Sequence, residues 1–142
     1  MAEIRHSRQR EAIKSFLIST KEHPTAEVVY DNIKKEFPNI SLGTVYRNLN
    51  FLVEHGEAVR LKCGDGLDHF DGDTHPHYHF YCKSCHHIID LEMLPIDHVN
   101  VIAGAEFEGK IEDHVIYFRG LCKDCLNFFQ KEVDKPEKND IM

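Results

Sequence analysis

Apolar residues recur at helical spacing through the first third of the chain. Ile13, Phe16 and Leu17 follow the polar stretch Ser7-Arg8-Gln9-Arg10 and predict a first helix. Pro24 and Thr25 open a second, in which Val29, Ile33 and Phe37 fall four apart on one face until Pro38 stops it. Ser41 suits the N-cap of a third helix, because its hydroxyl can accept from a backbone N–H that the first turn leaves unpaired. Val45, Leu49 and Leu52 then face inward, and Gly56 closes the helix. Beyond it the pattern becomes that of strands: Ala58–Lys62, a Gly64-Asp65-Gly66 turn, and Leu67–Phe70. Three short helices and a hairpin make a winged helix-turn-helix; a small helical bundle with a polar outer face fits the same pattern. In the winged reading the third helix is the reader. Its outer face carries Thr44, Tyr46, Arg47 and Asn50, types that contact phosphates and base edges in the major groove of double-stranded DNA.

The second half of the chain carries metal-binding chemistry. Cys82-Lys83-Ser84-Cys85 and Cys122-Lys123-Asp124-Cys125 are two CxxC knuckles, each placing two thiolates on one tight turn. Brought together they form a closed tetrahedral sulfur cage of the kind that holds structural Zn²⁺. Residues 86–121 lie between the knuckles, so the intervening chain must be folded structure that the zinc staples. Two redox CxxC pairs are the competing reading, but neither sits in a thioredoxin-like strand-to-helix context. His77-Tyr78-His79 reads as part of a strand with both imidazoles on one face. Asp90, ending the short strand from His87, can reach them across the pair, and Asp71 lies at the junction of the two halves. A site of nitrogen and oxygen donors alone favours Fe²⁺, Mn²⁺ or Zn²⁺ over thiophilic ions. Cys63 reads as a partly buried wing residue without a special role, and Asp65, Asp68 and Asp73 as solvated loop acids. His69, His75, His86, His87 and His98 read singly as surface or internally satisfied histidines.

Charge sharpens the division. The 142-residue chain has a net charge of −7, yet residues 1–62 balance at +2 and the remainder at −9. Only the first half can approach a phosphate backbone comfortably. No apolar run approaches a membrane span, and the basic start MAEIRHSRQR lacks the apolar stretch of a signal peptide, which predicts a cytoplasmic protein without a membrane partner. In that compartment cysteines serve as metal ligands or catalytic groups more often than as disulfides.

From Arg8 to Cys125 the sequence resembles the ferric uptake regulator family. Arg8-Gln9-Arg10 looks like that family's first-helix motif, His23-Pro24-Thr25-Ala26 like the start of its second helix, and Ser41–Leu49 like its recognition helix. The pattern His77-Tyr78-His79, Cys82-x-x-Cys85, Cys122-x-x-Cys125 looks like its metal motif. The resemblance implies an α+β protein: an N-terminal winged helix over residues 1–70, a hinge at 71–76, and a C-terminal α/β dimerisation domain over 77–131 with a four-cysteine zinc site. Residues 132–142, charged and containing Pro136, are expected to form a flexible tail. It also implies a homodimeric, metal-dependent repressor of promoter DNA whose regulatory Fe²⁺ or Mn²⁺ is held by His23, Asp71, His77, His79 and Asp90. A metal bound by both halves would clamp them at the angle that sets half-site spacing.

Asp90 and Asp71 look like the peroxide-sensing branch, whose iron-uptake relatives carry Glu at the position of Asp90. In that branch Fe²⁺ reacts with peroxide, a ligand histidine is oxidised, and the metal and DNA are released; by carry-over the targets are His23 and His77. Such self-modification is not turnover, so no enzyme is implied. Arg47 looks more like the iron-uptake branch, where an iron- or zinc-responsive repressor is the alternative. Asp97 and His114 align with two ligands of a third family site, but Tyr78 stands where another ligand belongs. A hydrolytic metalloenzyme built on the HxH pair is the reading from a different class; it needs an open metal position and a substrate pocket, and the sequence offers no evident nucleophile.

Overall fold

The computed structural model describes residues 2–134, with side chains from Arg8 to Lys131. The expected C-terminal tail lies outside the described residues from 135 onward, while 132–134 continue a helix. The chain divides into two compact units. One runs to His77 and includes Glu92–Pro95; the other comprises Tyr78–Leu91 and the chain from Ile96.

The first unit contains α1 (Ala2–Ser19), α2 (Ala26–Ile33), α3 (Leu42–Glu54), β1 (Val59–Leu61) and β2 (His69–Asp71). The expected Ser41 cap forms, its hydroxyl accepting from Thr44 N at 3.1 Å, and Thr25 caps α2 in the same way, accepting from Val28 N at 3.4 Å. Each satisfies a donor that the first helical turn cannot use. Helix α2 ends at Ile33 rather than at Pro38. Lys34–Glu36 continue as turns, and Phe37 packs against the core from the linker. Gly56, at φ +72°, lets the chain turn back after α3, with Glu57 N donating to Leu52 O at 2.8 Å.

Ile13, Leu17, Val29, Ile33, Val45, Leu49, Leu52 and Phe70 form one buried core, so the three amphipathic stripes and the hairpin close on each other. Arg10 ties α1 to α3: its Nε donates to Asn48 Oδ1 at 3.1 Å, and its guanidinium lies 3.7 Å from the Phe51 ring centroid. Strands β1 and β2 pair antiparallel with Val59 opposite Asp71, and the bridge Thr25–His69 joins β2 to the residues preceding α2. Three helices followed by this hairpin are a winged helix-turn-helix; the helical-bundle alternative lacks the wing.

The second unit holds β3 (Tyr78–Cys82), β4 (Ile88–Leu91), α4 (Val99–Gly104), β5 (Tyr117–Gly120) and α5 (Lys123–Asp134). The sheet order is β4-β3-β5, with β3 antiparallel to β4 and parallel to β5. The parallel pair requires a crossover, which the chain through α4 supplies. Val101, Ile102, Phe107, Val115 and Phe128 are exposed on this unit. Among the described residues no helix is long and apolar enough to cross a membrane.

Candidate metal centre

The two CxxC knuckles meet. Cys82 ends β3, Cys85 follows on the turn toward β4, and Cys122 and Cys125 flank the start of α5. Their four Sγ atoms all lie within 4.8 Å of one another. Metal–sulfur bonds of roughly 2.3 Å in a tetrahedron give sulfur–sulfur edges of about 3.8 Å. The Cys85 and Cys122 sulfurs are 3.7 Å apart, and no disulfide forms among the described cysteines. The backbone N–H groups of Cys85 and Cys122 both donate to Cys82 Sγ at 3.4 Å. The Cys85 donor is the main reason the Cys82 thiol is held down to about 5, against an opposing effect of desolvation. Cys125 is pushed up to about 12: its hydrogen bond with Ser84 favours the thiolate, but desolvation and the neighbouring thiols of Cys122, Cys82 and Cys85 outweigh it. One sulfur prepared as a thiolate and three crowding it is a donor set that a soft-to-borderline divalent cation completes. The cluster fits Zn²⁺ with no position left for a substrate.

The nitrogen and oxygen donors form a set in each unit. In the first, Asp71 Oδ2 lies 3.0 Å from His77 Nε2 and 3.4 Å from His23 Nε2. Two imidazoles thus converge on one carboxylate oxygen, and Asp71 and His23 are buried. Electron-rich atoms gathered this way need protons or a cation between them. The Nδ1 of His77 faces the carbonyl of His75 at 2.6 Å, which can only accept, so a proton on Nδ1 donates to it and Nε2 is the nitrogen turned toward Asp71. His77 is not on a strand as the HxH spacing suggests; β3 begins one residue later, and Asp71 rather than the pleat sets its ring. In the second unit His79 and Asp90 are register partners across β3 and β4, with His79 Nε2 3.3 Å from Asp90 Oδ1. Both sets lack sulfur and suit Fe²⁺ or Mn²⁺.

His23 sits at φ +52°, the left-handed region that a residue with a β-carbon avoids. Strand β2 holds it there. Phe70 N donates to Pro24 O at 2.9 Å, and His69 Nδ1 lies 2.9 Å from the His23 carbonyl. The other ring nitrogen of His69 is 2.7 Å from Asp65 Oδ2. Asp65 is therefore not a solvated loop acid. Desolvation raises its carboxyl, but the His69 ring and the Leu67 N–H outweigh that and hold it below the usual range. His69 is internally satisfied by this contact, and no periodicity marks an acid and a histidine four apart across a glycine turn. Asp68 is also engaged, 3.3 Å from Arg60 and 3.0 Å from Lys62.

At the third family position both ring nitrogens of His114 are engaged inside the protein. Nε2 meets the Tyr78 hydroxyl at 2.6 Å and Nδ1 meets Asn100 Oδ1 at 2.7 Å. On α3, Tyr46 is 40% exposed and its hydroxyl donates to Glu27 at 3.1 Å, while Arg47 donates to Thr44 Oγ1 at 2.9 Å. Asn50 accepts from Arg60 on the wing strand.

Comparison with known proteins agrees with these features. The profile of the ferric uptake regulator family matches residues 1–119. The chain is 38% identical over 122 residues to the peroxide-responsive repressor PerR of Staphylococcus saprophyticus, covering 86% of this chain and 82% of that protein. It is 36% identical over 124 residues to PerR of Staphylococcus aureus, covering 87% and 84%. Among solved structures, the Campylobacter jejuni peroxide stress regulator superposes with a TM-score of 0.75 at 29% identity, over 87% of this chain and 93% of that one. The Helicobacter pylori ferric uptake regulator, in which three functional metal sites are described, gives 0.72 at 25% identity, over 84% and 80%. A winged helix, a four-thiol cage and two sulfur-free donor sets, in a sequence this similar to known regulators, place the chain in the ferric uptake regulator family.

Proposed function

We propose that the chain is a homodimeric, metal-dependent transcription repressor that senses peroxide by oxidation of its own ligand histidines. Cys82, Cys85, Cys122 and Cys125 hold a structural Zn²⁺ that closes the C-terminal unit. His23, Asp71, His77, His79 and Asp90 together hold one regulatory Fe²⁺ or Mn²⁺. The exposed apolar residues of the C-terminal unit, Val101, Ile102 and Phe128 among them, supply the contact between protomers. Thr44, Tyr46, Arg47 and Asn50 face the promoter. The DNA target and the reduced thiols put the protein in the cytoplasm. The domain limits of 1–70, 71–76 and 77–131 remain part of this reading.

The observation that carries the peroxide assignment over an iron- or zinc-responsive one is the short carboxylate of Asp90 directly opposite His79, in a chain whose relatives include peroxide-responsive repressors. Fe²⁺ held there would supply the redox chemistry that cleaves peroxide, with one peroxide oxygen passing to an imidazole carbon, which is oxidised by two electrons, and the other leaving as water. The chain's part is to offer two imidazoles, His23 and His77, as the groups that take up oxygen. An oxidised imidazole is a poorer donor, so the ligand set comes apart and the DNA-competent arrangement loses its support. A ligand shifts such an equilibrium only through its differential affinity for the two arrangements, and His23 supplies that difference. Each protomer modifies itself once, which makes it a regulator rather than an enzyme. The test is a gel-shift titration on a promoter fragment before and after brief peroxide: the Fe²⁺ form should release DNA and the Mn²⁺ form should not. Retention of DNA by both forms favours the iron- or zinc-responsive alternative.

A further inference from the structure

The wing turn reaches the backbone of a proposed metal ligand. Gly64 and Gly66, at φ +105° and +81°, fold the turn so that Asp65 points inward. Its Oδ1 accepts from Leu67 N at 3.0 Å, which pins the carboxylate, and its Oδ2 meets His69 Nε2 at 2.7 Å. Both side chains are largely buried, 12% and 11% exposed. Across the imidazole, Nδ1 lies 2.9 Å from the carbonyl oxygen of His23. A carbonyl only accepts, so Nδ1 carries the proton and donates. The peptide it holds follows the left-handed φ of His23, a strained conformation that persists only where the surroundings impose it.

We infer that Asp65 and His69 form a positioning pair that fixes His23 as a metal ligand and couples the wing to metal binding. The inference rests on the reading of His23 as a ligand. Strand β2 thereby serves two donors at once: Asp71 ligates from it directly, and His69, two residues earlier, sets the backbone of His23. Neither Asp65 nor His69 touches the metal. Their effect on it runs through one carbonyl, as outer partners of ligands commonly act. Because the pair begins in the wing turn, DNA that immobilises the wing also immobilises His23. By linkage, metal binding and DNA binding then reinforce one another by the same factor.

The test is Mn²⁺ binding to the full-length, zinc-loaded protein, followed by electron paramagnetic resonance with and without promoter DNA. His69→Leu should weaken Mn²⁺ binding about 10- to 100-fold. His69→Asn, whose amide nitrogen can stand in for Nδ1, should recover most of it. Asp65→Asn should retain part of the affinity but lose the DNA-induced gain. Zinc content and the thermal unfolding of the metal-free form separate a folding defect from a positioning one, and if His69→Leu does not fold, Asp65→Asn decides alone. Wild-type Mn²⁺ affinity and DNA coupling in Asp65→Asn and in the folded His69 variants overturn the inference. His23→Ala is the control: if it loses Mn²⁺ while those variants do not, the ligand reading stands and the relay falls. If His23→Ala binds Mn²⁺ normally, the ligand reading itself fails and takes the relay with it.

Discussion

Gly72→Ala should damage both stability and metal binding, for one steric reason. A β-carbon at Gly72 would lie 2.7 Å from the carbonyl carbon of Leu17 and from Ile18 N, and 2.8 Å from Leu17 O. These are backbone atoms at the end of α1, so no side chain can swing away; either the helix end or the chain after β2 must move by several tenths of an ångström. Overpacking of this kind costs about 1–3 kcal/mol, and a backbone obstacle puts it in the upper part of that range. A loss of about 2 kcal/mol lowers the ratio of folded to unfolded chains roughly 30-fold. The urea midpoint of the helical transition should fall by on the order of 1 M, read by circular dichroism on the zinc-loaded protein. Gly72 directly follows Asp71, so displacement moves that carboxylate away from His23 and His77. Mn²⁺ affinity should therefore fall as well, by an amount that folding alone does not explain when measured well below the transition. A midpoint and an affinity both equal to wild type would refute the reasoning that this close approach seats the ligand strand.

Cys82→Ser and Cys125→Ser should each lose zinc and, with it, the dimer, since a four-thiolate site contributes on the order of 10 kcal/mol to folding in small zinc domains; metal analysis combined with light scattering checks this, and a zinc-free stable dimer speaks against it. Arg47→Ala should weaken promoter binding by about 1–3 kcal/mol and relax specificity if the guanidinium leaves Thr44 for a base edge, read by titrating cognate and scrambled duplexes. Cys63 is buried, and burial first, then the nearby Asp65, pushes its thiol up to about 11, so it should resist alkylation in the native zinc-loaded protein and react only on unfolding. Rapid labelling of Cys63 at neutral pH would contradict that placement.

The parts of the fold legible in the sequence are those set by short-range physics. Thr25 and Ser41 cap helices because hydroxyls there meet local N–H groups, and the inward stripes of α2 and α3 follow from helical period alone. The His79–Asp90 pairing was accessible because antiparallel register is local too. What escaped depends on contacts distant in sequence. Nothing near Asp65 announces that His69 will bridge it to the His23 carbonyl, since that contact joins residues 46 apart. The parallel pairing of β3 with β5 needs a crossover that no periodicity encodes. His77 belongs with Asp71 instead of the strand because the pleat starts only at Tyr78. The left-handed His23 was invisible for the same reason: its own sequence disfavours the conformation, and strand β2 imposes it. Both knuckles were plain, since CxxC spacing is itself the local geometry of a zinc turn.

The central claim is that His23 and His77 are ligands placed to take up oxygen, and it is tested most directly by peptide mass spectrometry. The zinc-loaded protein is charged with Fe²⁺ or Mn²⁺, exposed briefly to peroxide, digested and mapped. The account predicts the mass of one added oxygen on the peptide containing His23 or on that containing His77, with Fe²⁺ only, rising in parallel with loss of promoter binding. Peptides bearing His55 or His98, which lie outside the proposed ligand set, should remain unmodified. Unmodified His23 and His77 peptides in Fe²⁺ protein that stays on DNA would contradict the account.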